Sequence, residues 1–199
     1  MPALNSVTVA LAGNPNAGKS TLFNVLTGLH QHTGNWPGKT VEKRVGVCRR
    51  NGRTLHIVDL PGTYSLAAYS PEEVIARDYI LHERPDMVVD VVDATNLERN
   101  LYLAVQLLEL EVPVVIALNL ADEARRMRLR IDTHRLSELL GGAPVVEVSA
   151  RHGDGIAELV ETILAVAAKY DSGRRSTGEP ARPPVATEGV HEVTRIHTK

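Results

Sequence analysis

At positions 13–20 the chain reads Gly13-Asn14-Pro15-Asn16-Ala17-Gly18-Lys19-Ser20. This stretch matches G-x-x-x-x-G-K-[ST], the P-loop, and it lies between an apolar run at 7–12 and a helical pattern, as the motif requires. Its glycines let backbone N–H groups approach phosphate oxygens, and the helix start adds positive potential. Lys19 is expected to contact the β- and γ-phosphates and Ser20 to ligate Mg²⁺. An ordinary glycine-rich turn is the alternative.

A second motif, Asn119-Leu120-Ala121-Asp122, predicts which base is bound. The carboxylate of Asp122 can accept hydrogen bonds from N1–H and the 2-amino group of guanine, and adenine offers neither donor. Asn119 is expected to brace this loop against the P-loop. Ser149-Ala150, after the next strand, would offer a backbone N–H to guanine O6. A helix-capping Asn/Asp pair is the alternative to a guanine site.

Two further loops are expected to read the γ-phosphate. Asp59-Leu60-Pro61-Gly62 ends a strand, so that Asp59 would hold Mg²⁺ through water and the Gly62 amide would contact the γ-phosphate. The polar loop 33–40 offers Thr40 as the second Mg²⁺ hydroxyl ligand. Both loops would be switches, ordered by the γ-phosphate and released on hydrolysis. On this interpretation Trp36 is exposed, although a tryptophan is more naturally a core residue.

The predicted nucleotide-binding set combines these loops. Its members are Gly13, Asn14, Pro15, Asn16, Ala17, Gly18, Lys19, Ser20, Thr21, Gly38, Thr40, Asp59, Gly62, Asn119, Asp122, Ser149 and Ala150. Hydrolysis is expected to be slow, because Thr63 stands where Ras-like enzymes carry a water-orienting glutamine. No arginine occupies an obvious finger position in the sequence either.

Short β-branched runs alternate with helical patterns along most of the chain. Strands are predicted at 7–12, 40–48, 53–59, 87–92, 113–118 and 144–148. The tight turn at 50–52 makes the second and third an antiparallel hairpin at a sheet edge. The expected fold is a Ras-like, doubly wound α/β P-loop GTPase, with a mostly parallel six-stranded sheet and one antiparallel edge strand. Residues 1–170 would form this domain, and the Gly/Pro/Arg-rich residues 171–199 a disordered tail.

The composition excludes several other functions. The 199 residues are 43% apolar with a net charge of −2, so no overall positive field favours nucleic acid as a partner. A single cysteine, Cys48, excludes an intramolecular disulfide and fits a reducing cytoplasm. No apolar run reaches the roughly 18 to 20 residues of a membrane helix, so the chain by itself is expected to be soluble.

Four of these stretches together resemble the FeoB family of bacterial ferrous iron transporters. They are the P-loop at 13–20, Gly34-Asn35-Trp36-Pro37-Gly38, Asp59-Leu60-Pro61-Gly62-Thr63-Tyr64-Ser65-Leu66 and Asp93-Ala94-Thr95-Asn96-Leu97-Glu98-Arg99-Asn100-Leu101. The likeness extends from about Val7 to Tyr170. The second and fourth stretches are far more specific than the GTPase motifs that they accompany.

The resemblance implies a potassium ion beside the phosphates. Asn16 would supply one ligand, and backbone carbonyls around Gly34 and Trp36 would complete the site. Such a cation would do the work of an arginine finger, which suits the missing glutamine. The catalytic residues implied in this way are Asn16, Lys19, Thr40 and Gly62.

The resemblance also implies GTP and GDP as ligands, with Mg²⁺ and K⁺, and a place at the cytoplasmic face of the bacterial inner membrane. The expected partner is a membrane-embedded transporter domain, through which homo-oligomers could form, and no nucleic acid is expected. The main alternative is an Era-like GTPase acting in ribosome assembly. A third hypothesis is a nucleotide-dependent binding module whose hydrolysis is incidental.

Overall fold

The computed structural model describes residues 6–28, 30–50, 52–110 and 112–177. Seven strands form one sheet in the order β2-β3-β4-β1-β5-β6-β7. Their bounds are β1 Ser6–Gly13, β2 Gln31–Asn35, β3 Glu42–Arg50, β4 Arg53–Asp59, β5 Met87–Asp93, β6 Val114–Asn119 and β7 Val145–Glu147. All neighbours pair in parallel except β2 with β3 and β3 with β4, which are antiparallel.

In the part of the chain that the structure describes, six α-helices accompany these strands. Their bounds are α1 Lys19–Thr27, α2 Pro71–Asp78, α3 Leu97–Glu109, α4 Ala121–Arg126, α5 Thr133–Leu139 and α6 Ile156–Thr177. A π-helical turn, Tyr79–Glu83, continues α2, and a 3₁₀ turn, Ala94–Asn96, precedes α3. Ser70 and Glu73 form a capping box at the start of α2, with Pro71 in its first turn. None of the helices in the described part of the chain is long and apolar enough to cross a membrane.

Helices cover both faces of the sheet, which confirms the doubly wound α/β class. One buried layer contains Leu22 and Phe23 of α1 with Leu159 of α6. The opposite layer contains Ile75 of α2 and Leu103 of α3. Side chains alternate between the two faces along each strand. The carboxyl ends of β1, β4 and β6 therefore meet at one edge of the sheet, where α/β proteins bind ligands.

The sheet has seven strands where six were predicted, and β3 is not its edge. Gln31–Asn35 pairs with β3 along its whole length, although its residues are almost all exposed. The segment lacks the apolar alternation by which strands are recognised, since neither of its faces is buried. Backbone pairing with β3, which side-chain pattern does not report, makes it the edge strand.

The last helix is also longer than predicted. The helical pattern that begins at Ile156 predicts an end near Tyr170, but α6 continues to Thr177. Adding residues to an existing helix costs far less than starting one, so polar residues can extend it. The predicted end of this helix is therefore too early, and the rest of the predicted tail, 178–199, lies outside the described residues.

Candidate nucleotide-binding site

The P-loop connects the end of β1 to the start of α1. Gly13 has φ 151°, and a Cβ there would lie 2.6 Å from the carbonyl oxygen of Val91 on β5. Gly18 has φ 83° and would press a Cβ against the side-chain amide of Asn119. Both positions therefore require glycine. Ser20 and Thr21 follow in the first turn of α1 and are exposed.

Asn119 ties the P-loop to the two loops that were predicted to read the base. Its side chain is fully buried at the end of β6. Nδ2 donates to the carbonyl of Ala17 at 2.9 Å, and Oδ1 accepts from the backbone N–H of Ala150 at 3.1 Å. The brace expected from the sequence is thus present, and one side chain joins three loops.

Asp122 lies at the start of α4, beside the Ser149-Ala150 loop. Its backbone N–H donates to Ser149 Oγ at 3.1 Å, and its Oδ2 accepts from Arg126 at 2.9 Å. His152 Nε2 lies 3.4 Å from the same oxygen. Desolvation acts to raise the pKa of Asp122, but the Ser149 hydrogen bond and the charges of Arg126 and His152 outweigh it, so the pKa is lowered. The carboxylate therefore stays ionised, as an acceptor for two N–H donors must.

Lys19 and Asp59 meet at the carboxyl edge between β1 and β4. Lys19 Nζ donates to Asp59 Oδ1, and both side chains are buried. Arg44 on β3 places Nη1 3.6 Å from the other carboxylate oxygen. The P-loop cation and the predicted magnesium aspartate therefore occupy one site.

The start of the second switch lies against the P-loop. The N–H of Thr63 donates to the carbonyl of Gly13 at 3.2 Å. A Cβ on Gly62 would come within 3.2 Å of Cα of Pro15, a tight contact that glycine avoids where the two loops run this close. Gly62 therefore lies directly against the P-loop.

The prediction that Trp36 is exposed is wrong. Its side chain is 7% exposed and lies edge-on to Tyr79, with ring centroids 5.4 Å apart. Lys43 Nζ lies 5.0 Å from the centre of the indole ring. The reason is the hairpin of β2 and β3, which folds the loop over the apolar layer beneath it. The general preference of tryptophan for the core outweighs the polar residues around it.

The other residues predicted in the first switch remain at the surface. Thr40 is exposed, and Gly34 lies in the exposed strand β2. Gly38, with φ 67°, belongs to a turn in which Lys39 N–H donates to the carbonyl of Trp36 at 2.9 Å. Asn16 is also exposed, with φ 68°. Within the described ranges, no hydrogen bond or ion pair joins residues 33–40 to the P-loop.

Sequence reasoning missed the contacts that hold the second switch to α3. Arg99 lies over the ring of Tyr64 at 4.1 Å, and its backbone carbonyl accepts from Asn14 Nδ2 at 3.3 Å. Gln106 Oε1 accepts from the N–H of Leu66 at 2.8 Å. Arg99 and Gln106 are seven residues apart and so share a helix face. This seven-residue spacing is the sequence pattern from which the contact face of α3 could have been predicted.

The donor chemistry of this edge fits Mg²⁺. A buried carboxylate at Asp59 and a hydroxyl at Ser20 are oxygen ligands, which Mg²⁺ prefers. No cluster of three or more His, Cys, Asp or Glu occurs in the described part of the chain. That is no obstacle, because Mg²⁺ at phosphate sites takes one or two protein carboxylates and completes its shell with phosphate and water.

Three features occur together here. A P-loop connects a strand to a helix, its lysine contacts an aspartate of the neighbouring strand, and an asparagine joins it to the predicted base loop. This combination defines the G domain of a P-loop GTPase. A family model described as "Ferrous iron transport protein B" matches residues 7–163. The chain therefore belongs to the FeoB family, as its sequence motifs predicted.

Two curated relatives illustrate the match. The chain is 49% identical over 160 residues to the Fe(2+) transporter FeoB of Salmonella typhimurium, covering 78% of this chain and 21% of that protein. It is 47% identical over 177 residues to an Fe(2+) transport protein A/Fe(2+) transporter FeoB fusion protein of Porphyromonas gingivalis, covering 88% of this chain and 20% of the fusion. The chain spans about a fifth of the length of these relatives.

Solved structures agree on the fold. The chain is similar to the cytosolic domain of the T. maritima FeoB iron transporter in GDP form II, with a TM-score of 0.80 and 48% identity, over 82% of this chain and 64% of that one. It is similar to the FeoB G-domain from Methanococcus jannaschii, with a TM-score of 0.72 and 47% identity, over 81% of this chain and 97% of that one.

Proposed function

We propose that this chain is a GTP-binding and GTP-hydrolysing domain that regulates ferrous iron uptake across the bacterial inner membrane. The proposal depends chiefly on one observation. The Asn119 side chain is hydrogen-bonded to both the P-loop and the Ser149-Ala150 loop, so the predicted phosphate and base loops are held in a fixed relative position. Its similarity to an FeoB cytosolic domain in a GDP form supports guanine nucleotide as the ligand.

Phosphate binding is assigned to the P-loop amides and to Lys19. Lys19 Nζ already lies against Asp59 Oδ1. On nucleotide binding the ammonium would turn to the β- and γ-phosphates, and Asp59 would be left to hold Mg²⁺ through water. Ser20 would ligate the metal directly, and Thr40 would join it in the triphosphate state. Bound Mg²⁺ neutralises charge on the phosphate oxygens during transfer.

Slow intrinsic hydrolysis is supported by the environment of Thr63. Its side chain is buried, and its hydroxyl donates to the carbonyl of Ser65 at 2.6 Å. A hydroxyl committed in this way cannot orient an attacking water as a glutamine does. Arg99 stacks on Tyr64 and is not a finger in this arrangement. The chain itself would thus supply Lys19, the Gly62 amide and the P-loop amides as its transition-state contacts.

A potassium ion is proposed to supply the missing positive charge. Asn16 offers an exposed amide oxygen at the P-loop, and the carbonyls of Gly34 and Trp36 are the further ligands. Potassium should then accelerate GTP hydrolysis well beyond sodium, and Asn16→Ala should remove the difference while retaining nucleotide binding. The test is GTPase rate at matched ionic strength with saturating Mg²⁺ and GTP. Equal rates in the two salts would refute the potassium site.

The role in iron uptake is proposed from the relatives, which are named as Fe(2+) transporters. The partner would be a membrane-embedded transporter domain, which places this domain at the cytoplasmic face of the inner membrane. Homo-oligomers would form through that transporter. The Era-like alternative is not favoured, because the two relatives described above are named as Fe(2+) transporters.

The proposal is tested most simply by measuring which nucleotides the chain binds. The purified chain should bind GDP and GTP in the presence of Mg²⁺ and leave ADP and ATP unbound in an equilibrium titration. Hydrolysis of GTP at a low but measurable rate, followed by chromatography of the product, would separate an enzyme from a nucleotide-dependent binding module. Equal binding of ADP and GDP would contradict the guanine assignment.

A further inference from the structure

Arg44 contacts residues of several elements around the predicted nucleotide site, and it belongs to none of the sequence motifs described above. It stands on β3 directly opposite Asp59 of β4 in the antiparallel register. Its Nη1 lies 3.6 Å from Asp59 Oδ2, on the side of the carboxylate away from Lys19. The side chain of Arg44 is 20% exposed and that of Asp59 is 6% exposed, so the pair lies mostly out of water.

The other end of the guanidinium is anchored. Nη2 donates to Asn24 Oδ1 on α1 at 2.6 Å and to Gln31 Oε1 on β2 at 3.0 Å. Its central carbon lies 4.6 Å from the ring centroid of the fully buried Phe23. The planar fork of an arginine holds its donors in a fixed geometry, whereas the ammonium of a lysine is a point charge on a flexible stem. Arg44 is therefore fixed beside Asp59.

The charges at this site change when nucleotide binds. Asp59 faces two cations, Lys19 and Arg44. In the proposed function, Lys19 turns to the phosphates, and Asp59 is left near an anionic ligand. A buried carboxylate without a counter-charge is strongly unfavourable. Either Mg²⁺ or Arg44 can then neutralise it, and when Mg²⁺ is absent only Arg44 remains in contact among the described residues.

We propose that Arg44 is a built-in counter-charge for Asp59 that lets this domain retain guanine nucleotide when Mg²⁺ is absent. The inference rests on the proposed nucleotide site and names a residue within it. Arg44 and Mg²⁺ are partly redundant on this account, because both offset the same carboxylate. Removing Arg44 makes nucleotide binding depend more strongly on Mg²⁺.

The test compares GDP affinity with and without metal in the wild type, Arg44→Gln and Arg44→Lys. Each protein is titrated with GDP in saturating Mg²⁺ and in EDTA, and the ratio of the two Kd values is the readout. Arg44→Gln should weaken binding about ten-fold in EDTA and little in Mg²⁺, as expected for an uncompensated buried charge. Arg44→Lys keeps the charge and should recover most of the EDTA affinity. Arg50→Gln, an exposed change at the far end of the same strand, is the matched control.

The outcomes separate the claims. An unchanged ratio in Arg44→Gln, or an equal loss of affinity in both buffers, overturns the role of Arg44. If Arg44→Gln does not fold, the double variant Asn24→Ala/Gln31→Ala removes the anchors of the guanidinium but keeps its charge. It should show a smaller loss confined to EDTA, and an equal loss in both buffers overturns the inference. Failure of the wild type to bind GDP in Mg²⁺ refutes the proposed function itself, whatever Arg44 does.

Discussion

Two regions of the predicted nucleotide site are built in opposite ways. One is the frame, which consists of the P-loop, the Asn119–Asp122 loop and the Ser149-Ala150 loop, and the other is the first switch, residues 33–40. In the frame, Asn119 is fully buried and bonded to the backbone of both the P-loop and the Ser149-Ala150 loop. In the first switch, Thr40 is exposed, and no hydrogen bond joins residues 33–40 to the P-loop within the described ranges. In the proposed function, the groups that would read base and phosphate are therefore held in place before any ligand binds.

The difference follows from what each region must do. Preorganised groups bind without an ordering cost, which suits the parts of a nucleotide common to GDP and GTP. A residue that distinguishes GTP from GDP must instead gain contacts only when the γ-phosphate is bound. A ligand shifts a loop between two conformations only by binding one of them more tightly than the other. Trp36 anchors one residue of this loop, because its ring is buried and packed against Tyr79.

The largest effect is expected from breaking the frame at Asn119. Asn119→Ala removes two buried hydrogen bonds and leaves their backbone partners unsatisfied, so the free energy of unfolding should fall by about 3 to 4 kcal/mol. Urea denaturation measures the loss. Asn96→Ala is the control, since that side chain is exposed and makes no capping bond, and its effect should stay within about 0.5 kcal/mol. Similar effects of the two changes would contradict a rigid frame.

The frame also contains a buried acid whose protonation should make stability depend on pH. Asp90 lies on β5, between the strands of the P-loop and the base loop, and its Oδ2 has no hydrogen-bond partner among the described residues. Desolvation raises the pKa of Asp90 from 3.8 to about 7. Between those values the unfolded chain releases the proton and the folded chain keeps it, so stability falls as pH rises and the full penalty is reached above pH 7.

Asp90→Asn should remove this dependence. The difference in unfolding free energy between variant and wild type should shift in favour of the variant by about 2.5 kcal/mol from pH 5 to pH 8. Denaturation at a series of pH values, without nucleotide, measures it. Asp78→Asn, a change at a half-buried aspartate paired with Arg77, is the comparison, and the trend of Asp90→Asn is expected to differ from it. A difference that stays constant across the pH range would mean that Asp90 is ionised in the folded protein.

The smallest effect is expected in the first switch. Thr40→Ala should leave GDP affinity unchanged and weaken a non-hydrolysable GTP analogue by about ten-fold, because the hydroxyl would contribute one ligand bond in the triphosphate state alone. Titration of both nucleotides in Mg²⁺ decides the matter. Lys39→Ala, the neighbouring exposed change, is the control. Equal weakening of GDP and the analogue would remove Thr40 from the switch.

The frame was predictable from sequence and much of the switch was not. The P-loop and the Asn119-Leu120-Ala121-Asp122 loop are contiguous motifs that follow apolar strands, so local pattern alone locates them. The strand β2 has no buried face, and its pairing with β3 depends on backbone geometry that side-chain pattern does not report. Arg44 lies opposite Asp59 because of the register in which β3 and β4 pair. A sequence motif with fixed spacing does not predict such a long-range contact.

The central claim, that this domain binds guanine nucleotide through Asp122, is tested most directly by exchanging its carboxylate for an amide. Asp122→Asn should lower GDP affinity by at least about 100-fold, since an amide cannot accept both guanine N–H groups. The same variant should gain affinity for xanthosine diphosphate, whose base carries a carbonyl in place of the 2-amino group. Unchanged GDP affinity in the variant, with no gain for the xanthine nucleotide, would contradict the account.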